Sequence, residues 1–515
     1  MKKDIIIILD FGSQYSHMIA RRIRDIGIYS LLYPYHISIN RILYNKPKGI
    51  ILSGGPSSVY RNDSLLISDN IFQLDIPILG ICYGMQVISF IFGGQINKSK
   101  NKEYGKSDFI IDKENSLFYQ IPKKSVVWMS HFDEVTHLPK QFQIMGHTSS
   151  CSIAAFKHVN KNIYAVQFHP EVKNTEFGIH MLKNFSMNIC KCHANWRLNN
   201  FIKKSIYDIK KYVSNKKVIL GISGGLDSFV TAYIIYKAIG NSLKCIFVDT
   251  GLLLNGEKKI IYNLCKKMNF SIKIINAQHH FLSKLSGISN PEMKRKIVGR
   301  EFVYLFQKES EKIKNAKFLA QGTIYSDVIE SSISDNHQNI FSHSIKSHHN
   351  VGGLPTSMKL KLMEPLKKLF KDEVRSIGQE LGIPKKILYR YPFPGPGLSI
   401  RIIGKINKKK IAILKKSEHI LDQELTNFGF KENVSQAFII LLPIKSVGVM
   451  GDKRTYEYTA VLRAVNTEDF MTATFSKLSY EFLETISNRI VNEVSGINRV
   501  LFDITSKPPS TIEWE

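Results

Sequence analysis

The stretch KVILGISGGLDSFVTAYII, residues 217–235, opens with an apolar run, breaks at two glycines and resumes as a second apolar run. The first run has strand length and the second has helix length, so the pattern predicts strand, tight turn and helix. The turn is Ser223-Gly224-Gly225-Leu226-Asp227-Ser228. Successive backbone N–H groups at the start of a helix form an anion nest, and Ser223 and Ser228 add hydroxyl donors. The loop is too short for a Walker loop and lacks its lysine. Asp227 would repel phosphate unless a divalent cation stood between them, which points to Mg²⁺ and pyrophosphate chemistry. A bare Gly-Gly turn is common in α/β folds; the added serines and aspartate make this one specific.

The rest of the chain extends that α/β reading. DIIIILD (4–10), GIILSGG (49–55) and IPILGIC (76–82) are short apolar runs separated by helical stretches such as SQYSHMIARRIRDIG. Such alternation predicts an open, largely parallel sheet with ligands at the carboxyl ends of its strands. At 515 residues the chain is too long for one core. The expected fold class is α/β: two open parallel-sheet domains and a smaller α+β C-terminal domain. The expected boundaries are 1–195, 196–390 and 391–515. CKCHANW (190–196) is read as a linker, because Cys-x-Cys-His lacks the ligands that would complete a zinc site. YPFPGPGL (391–398), with three prolines and two glycines, marks the second boundary.

No run of eighteen uncharged apolar residues is present, and the N-terminal run is short and bracketed by Asp4 and Asp10. A cytoplasmic protein is expected, with no membrane partner. Six cysteines in so long a chain do not make a disulfide framework. The net charge of +28 raises the question of nucleic acid. The lysines are scattered, however, and no basic stripe is interleaved with aromatics, so no nucleic-acid partner is expected.

Cys82 lies in GICYGMQVISFIFGG (80–94), where Gly80 and Gly84 allow a sharp strand-to-helix turn. A thiol at such a turn is exposed near a helix N-terminus, and both features favour a thiolate. NIYAVQFHPEV (162–172) supplies a base and a group to orient it. Here a strand is expected to end at His169, with Glu171 two residues on. Together these motifs resemble the class I glutamine amidotransferases. The resemblance implies Cys82 as nucleophile, His169 as base and Glu171 as orienting acid. It also implies oxyanion donors near Gly55, in SGGP (53–56), and Tyr83, with Gln86 beside glutamine.

The loop at 223–228 resembles that of the ATP pyrophosphatases, which split ATP between the α and β phosphates. That likeness implies ATP contacts at Ser223, Gly224, Gly225, Leu226, Asp227, Ser228 and Phe229, and adenine near Val248 in SLKCIFVDTGLL (242–253). Both likenesses in one chain, with LDFGSQY, VWMSH, KRKIVGR, SHHNVGGLP, YPFPGPGL, SVGVMGD and SKPPSTIEWE in order, are similar to the glutamine-hydrolysing GMP synthase family. This resemblance covers nearly the whole chain. It implies XMP, ATP and glutamine as substrates, Mg²⁺ as cofactor and a homodimer. It places Asp327, Glu330, Lys346, His348 and His349 at an adenylation centre; Lys371 and Asp372 either join them or simply open a helix at KDEVR. SHSIKSHHNVGGLP (342–355) would be a lid, and its histidines could alternatively suit a metal. Lys507, Thr511 and Glu513 would contact XMP. Phe132, Asn174, Phe229 and Ser326 depart from the family's usual glycine, histidine, serine and proline.

Two rivals remain on sequence grounds. A tRNA-thiolating enzyme would use a similar loop and would fit the charge, but it needs reactive cysteines beyond residue 196, where Cys245 and Cys265 fall in apolar elements. A basic nucleic-acid binding protein leaves the Cys-His-Glu set unexplained.

Overall fold

The computed structural model describes residues 3–61, 64–325, 327–328, 360–467 and 472–515. The chain divides into two compact units, Met1–Asn200 and Phe201–Glu515. Among the described residues no helix is long and apolar enough to cross a membrane.

The first unit is built on a nine-stranded sheet. Its strands are β1 (Ile5–Asp10), β2 (Tyr29–Pro34), β3 (Gly49–Leu52), β4 (Ile78–Ile81), β5 (Gln95–Ile111), β6 (Lys124–His137), β7 (Phe142–Thr148), β8 (Ala155–His158) and β9 (Ile163–Val166). Their order is β2-β1-β3-β4-β9-β8-β7-β5-β6. The half from β2 to β9 is parallel. β1, β3 and β4 are continuous apolar runs because strands covered on both faces have no polar side to show. From β9 onward every pairing is antiparallel. There the side chains alternate between buried and open, as along β6, which is the pattern of a sheet with one wet face. The parallel expectation therefore describes half of this sheet.

The segment 190–196 is not a loose connection. Cys190, Cys192 and Trp196 are all buried. The backbone of His193 donates to the Asp4 carboxylate at 2.8 Å, and the Trp196 ring lies 4.8 Å from that of Tyr29. The linker reading is corrected: this segment seals the edge of the first unit's core. Polar spacing hid that, because the apolar residues here meet partners more than a hundred positions away.

The second unit holds β10 (Lys217–Gly221), β11 (Leu243–Asp249), β12 (Ile272–Asn276), β13 (Ala316–Ala320) and β14 (Lys361–Met363), in the order β12-β11-β10-β13-β14. All pairings are parallel. The chain runs outward from β10 to β12, then returns to β13 on the other side of β10. That reversal leaves a crevice at the carboxyl ends of β10 and β13, where α/β sheets bind ligands. Residues 223–228 follow β10 there.

A further sheet in the same unit contains β15 (Gln436–Met450), β16 (Lys453–Asn466), β17 (Thr474–Phe475) and β18 (Ile497–Asp503). Helices Lys408–Asn427 and Tyr480–Glu493 pack against this sheet. One apolar core runs from Ile219 and Val248 through Leu398 and Ile402 to Ile439 and Ile486.

Candidate functional site

Cys82 stands alone between β4 and the helix Tyr83–Ile91, at φ 52° and ψ −107°. Such a positive φ is costly for a residue with a side chain and is kept only where the surroundings enforce it. Two glycines do so. A Cβ on Gly84 would lie 2.4 Å from the Leu52 carbonyl oxygen, and one on Gly80 would lie 2.7 Å from that of Gly84. The Cys82 N–H donates to the Val166 carbonyl at 2.8 Å, locking the turn to the end of β9.

β9 ends at Val166, three residues short of the end expected at His169. Beyond Val166 the backbone leaves the ladder: Gln167 N–H donates to Ala154 at 2.8 Å and His169 N–H to Trp128 at 3.0 Å. Because β4 and β9 are parallel neighbours, their ends bring Cys82 and His169 together. His169 Nδ1 lies 2.8 Å from Glu171 Oε1, and its other side bonds Cys82. The Tyr15 ring meets the imidazole edge-on at 5.1 Å. Glu171 is fully buried, and its second oxygen has no hydrogen-bond partner among the described residues, so its charge acts on the imidazole. Burial of His169 disfavours its charged form, but Glu171 and then Cys82 outweigh this and raise its pKa to about 10. An imidazolium beside the sulfur is the result.

The other five thiols are buried, which disfavours their thiolates. Burial pushes Cys151, Cys192 and Cys265 up to about 12, and Cys190 and Cys245 well above the ordinary thiol value.

Gly55 lies against Tyr83, with its ideal Cβ position 3.2 Å from the Tyr83 ring. Tyr83 opens the helix, at the end where backbone N–H groups point outward. Gln86 is buried, and its amide donates to the Asp133 carbonyl at 2.9 Å. Three further residues shape this site. Gln167 Nε2 is 3.6 Å from Cys82 Sγ. The Ser130 carbonyl is 3.6 Å from the same sulfur. The buried Asp133 carboxylate accepts from Ser58 and, at 2.8 Å, from Tyr60, and so holds the loop after β3. Their partners lie tens of residues away, so no local motif announces them.

In the second unit Gly225 N–H donates to Ser223 Oγ at 3.3 Å, and Ser228 Oγ donates to Gly225 O at 2.8 Å. Arg390 donates to Gly224 O at 2.9 Å and pairs with Glu257. Both Asp227 oxygens accept from Lys371 Nζ at 2.7 Å. The side chains of Leu226, Phe229 and Val248 are in the core, and the Phe229 N–H already donates to Gly225 O at 3.3 Å. Asp327 accepts from the Ile324 N–H at 3.0 Å, across the crevice-side turn after β13. Asp372 lies in the first turn of the helix Lys371–Glu380. Glu330, Lys346, His348, His349 and the expected lid at 342–355 lie outside the described residues.

The C-terminal tail is packed rather than frayed. Ile512 is buried. Trp514 donates to Asp503 at 2.9 Å, and Glu515 pairs with the fully buried Lys294. Glu513 accepts from Arg401 at 2.9 Å and Gln436 at 3.0 Å. Thr511 hydroxyl donates to the Glu513 carbonyl. Lys507 exchanges backbone bonds with Ala473 at 2.8 and 2.9 Å.

Three family models match the chain. They are class-I glutamine amidotransferase over residues 7–189, NAD synthase over 196–296 and the GMP synthase C-terminal domain over 423–514. A protein of Fusobacterium nucleatum named GMP synthase [glutamine-hydrolyzing] is 55% identical over 100% of both chains. Proteins of the same name from Lactobacillus acidophilus and Brachyspira hyodysenteriae are each 50% identical over 99% of this chain, covering 98% and 99% of their own. Among solved structures, that of a putative GMP synthase subunit from Thermoplasma acidophilum is 30% identical. It covers 37% of this chain and 96% of its own, with a TM-score of 0.33.

Proposed function

The chain belongs to the glutamine-hydrolysing GMP synthase family, and from that premise we infer how its residues divide the work. The protein is a ligase that converts XMP to GMP, with glutamine as nitrogen donor and ATP as activating co-substrate. The balance is XMP + ATP + glutamine + water to GMP + AMP + pyrophosphate + glutamate. We assign residues 1–195 to glutamine hydrolysis, 196–390 to activation by ATP, and 391–515 to XMP binding and dimerisation.

Cys82 thiolate attacks the glutamine carboxamide, and Gly55 and Tyr83 N–H groups receive the developing oxyanion. His169, charged at neutral pH, gives its proton to the departing nitrogen, and ammonia leaves. Neutral His169 then takes a proton from water, which clears the glutamyl thioester. Glu171 fixes the imidazole throughout.

The N–H groups and hydroxyls of residues 223–228 cradle the β and γ phosphates. The C2 oxygen of XMP displaces pyrophosphate from the α phosphorus, and ammonia then displaces AMP from the adenyl-XMP intermediate. Lys371, paired with Asp227, supplies a cation at the edge of this loop. A single carboxylate at the mouth of a phosphate loop suits Mg²⁺, which takes few protein ligands and completes its shell with phosphate and water. Asp227 would hold it, and the ion would supply charge neutralisation between the phosphates. Lys507, Thr511 and Glu513 serve XMP.

A homodimer is supported by Ile444, Val447, Val449 and Tyr456, exposed apolar residues on the β15–β16 hairpin. Six free cysteines suit a reducing cytoplasm. The buried, raised thiols of Cys245 and Cys265 leave tRNA thiolation without a nucleophile in the second unit.

The observation that carries this reading is Cys82 in its enforced turn beside the His169–Glu171 pair, in one chain with the 223–228 loop. Incubation of the protein with XMP, Mg-ATP and glutamine tests it. GMP, AMP and pyrophosphate should form in equal amounts; formation of ADP and phosphate instead would overturn it.

A further inference from the structure

β6 passes Cys82 with strictly alternating side chains. Met129, His131 and Asp133 are buried, Ser130 is half-buried and Phe132 is open. The Ser130 carbonyl touches the Cys82 sulfur. Directly across the β5–β6 ladder, Tyr104 is paired in register with Ser130. Cross-strand partners share a face, and so do residues two apart on one strand. Ser130, Phe132 and Tyr104 therefore stand on one face of the sheet. Tyr104 is close to the nucleophile: burial, and then the charge of Cys82, raise its phenol above the ordinary tyrosine value.

The two rings meet edge to face, with centroids 5.4 Å apart and planes at 78°. Each residue remains 55% exposed. Two large rings held against each other in water add little to the core. They stand instead as an exposed apolar pair beside Ser130, the residue whose carbonyl touches Cys82. Glutamine has two methylenes between its polar α end and its carboxamide, and an apolar wall is what such a stem packs against.

We propose that Tyr104 and Phe132 form an aromatic wall at the mouth of the Cys82 site, against which the aliphatic stem of glutamine packs, so that they set the affinity for this substrate. The proposal rests on the assignment of Cys82 as glutaminase nucleophile. Neither residue is asked to move a proton.

The test is steady-state kinetics with XMP and Mg-ATP present, with glutamine and, separately, ammonium as the varied nitrogen source. Phe132→Ala and Tyr104→Ala should each raise the glutamine KM roughly tenfold, the scale of small changes in an apolar pocket, with kcat held within about twofold. Tyr104→Phe and Phe132→Leu, which keep apolar bulk, should stay near the wild-type KM. Ammonium-dependent rates should be unchanged in all four, which certifies folding and separates binding from later chemistry. An unchanged glutamine KM in both alanine variants, or a fall in kcat alone, would overturn the wall. Glutamine-dependent activity surviving in Cys82→Ala would overturn the nucleophile assignment and the wall with it, and is distinguishable because it arises with both rings intact.

Discussion

His169 is held between a carboxylate and a sulfur, and that placement makes its proton an observable. Its folded pKa, about 10, lies above the value near 6.5 of a free imidazole. A raised pKa means the folded state holds the proton more tightly. The stability it lends is full below about 6.5 and fades as pH climbs through about 10. Glutaminase activity that needs the imidazolium should fall over the same alkaline limb. Glu171→Gln removes the largest group raising this pKa, so the limb should move to lower pH, and glutamine kcat at neutral pH should drop by about 10²–10⁴. A pH profile of glutamine-dependent synthesis measures both; an unmoved limb would contradict the assigned role. Cys82, His169 and Glu171 were legible because each sits in a short motif whose glycines or proline betray the turn. Gln167, Ser130 and Asp133 were not. Gln167 and Ser130 meet Cys82, and Asp133 meets Ser58 and Tyr60, across 48 to 85 positions, a distance over which a single sequence carries no signal.

At the scale of elements, apolar runs disclosed the parallel strands, since doubly covered strands leave no polar face. The antiparallel half of the first sheet was harder. β5 is rich in lysine and polar residues, and its pairing with β6 rests on alternation rather than on hydrophobic density. The segment 190–196 was misread for a related reason: its few apolar residues pack individually. Gly49 at the start of β3 shows how tightly. A Cβ there would lie 2.4 Å from Cys190 Sγ. Gly49→Ala should therefore destabilise the first unit by about 1–3 kcal/mol through overpacking. Cys190→Ser should cost a similar amount by burying a hydroxyl in place of a thiol. Urea unfolding of the protein, followed by a probe in the first unit, would show lowered midpoints; unchanged midpoints would restore the linker reading.

Over the whole molecule, charge was a poor guide and motif order a good one. The +28 is spread along a lysine-rich chain, whereas the Cys-His-Glu motifs and the 223–228 loop appear in sequence order and fall in two separate units. We propose that the tail ties this larger organisation to XMP. Its burial separates two effects that a deletion would merge. Glu515→Ala would strip the carboxylate from the fully buried Lys294 and leave its ammonium only the Ser399 and Ile402 carbonyls, so it should lower stability by about 3 kcal/mol. Lys507→Ala should leave the unfolding midpoint nearly unchanged and weaken XMP by about 1–3 kcal/mol, the scale of a lost charged hydrogen bond. XMP titrations beside thermal melts would distinguish the two; an unaltered XMP requirement in Lys507→Ala would remove the tail from the site.

We propose that one chain makes ammonia at Cys82 and consumes it in a chemically independent step at the 223–228 loop. The most direct measurement is GMP formation by Cys82→Ala, with XMP and Mg-ATP saturating, first with glutamine and then with ammonium. Synthesis from glutamine should fall by about 10⁴ or more, the scale of losing a catalytic nucleophile, while synthesis from ammonium stays near the wild-type rate. Retained synthesis from glutamine, or equal loss with both nitrogen sources in a protein that still melts like wild type, would contradict the account.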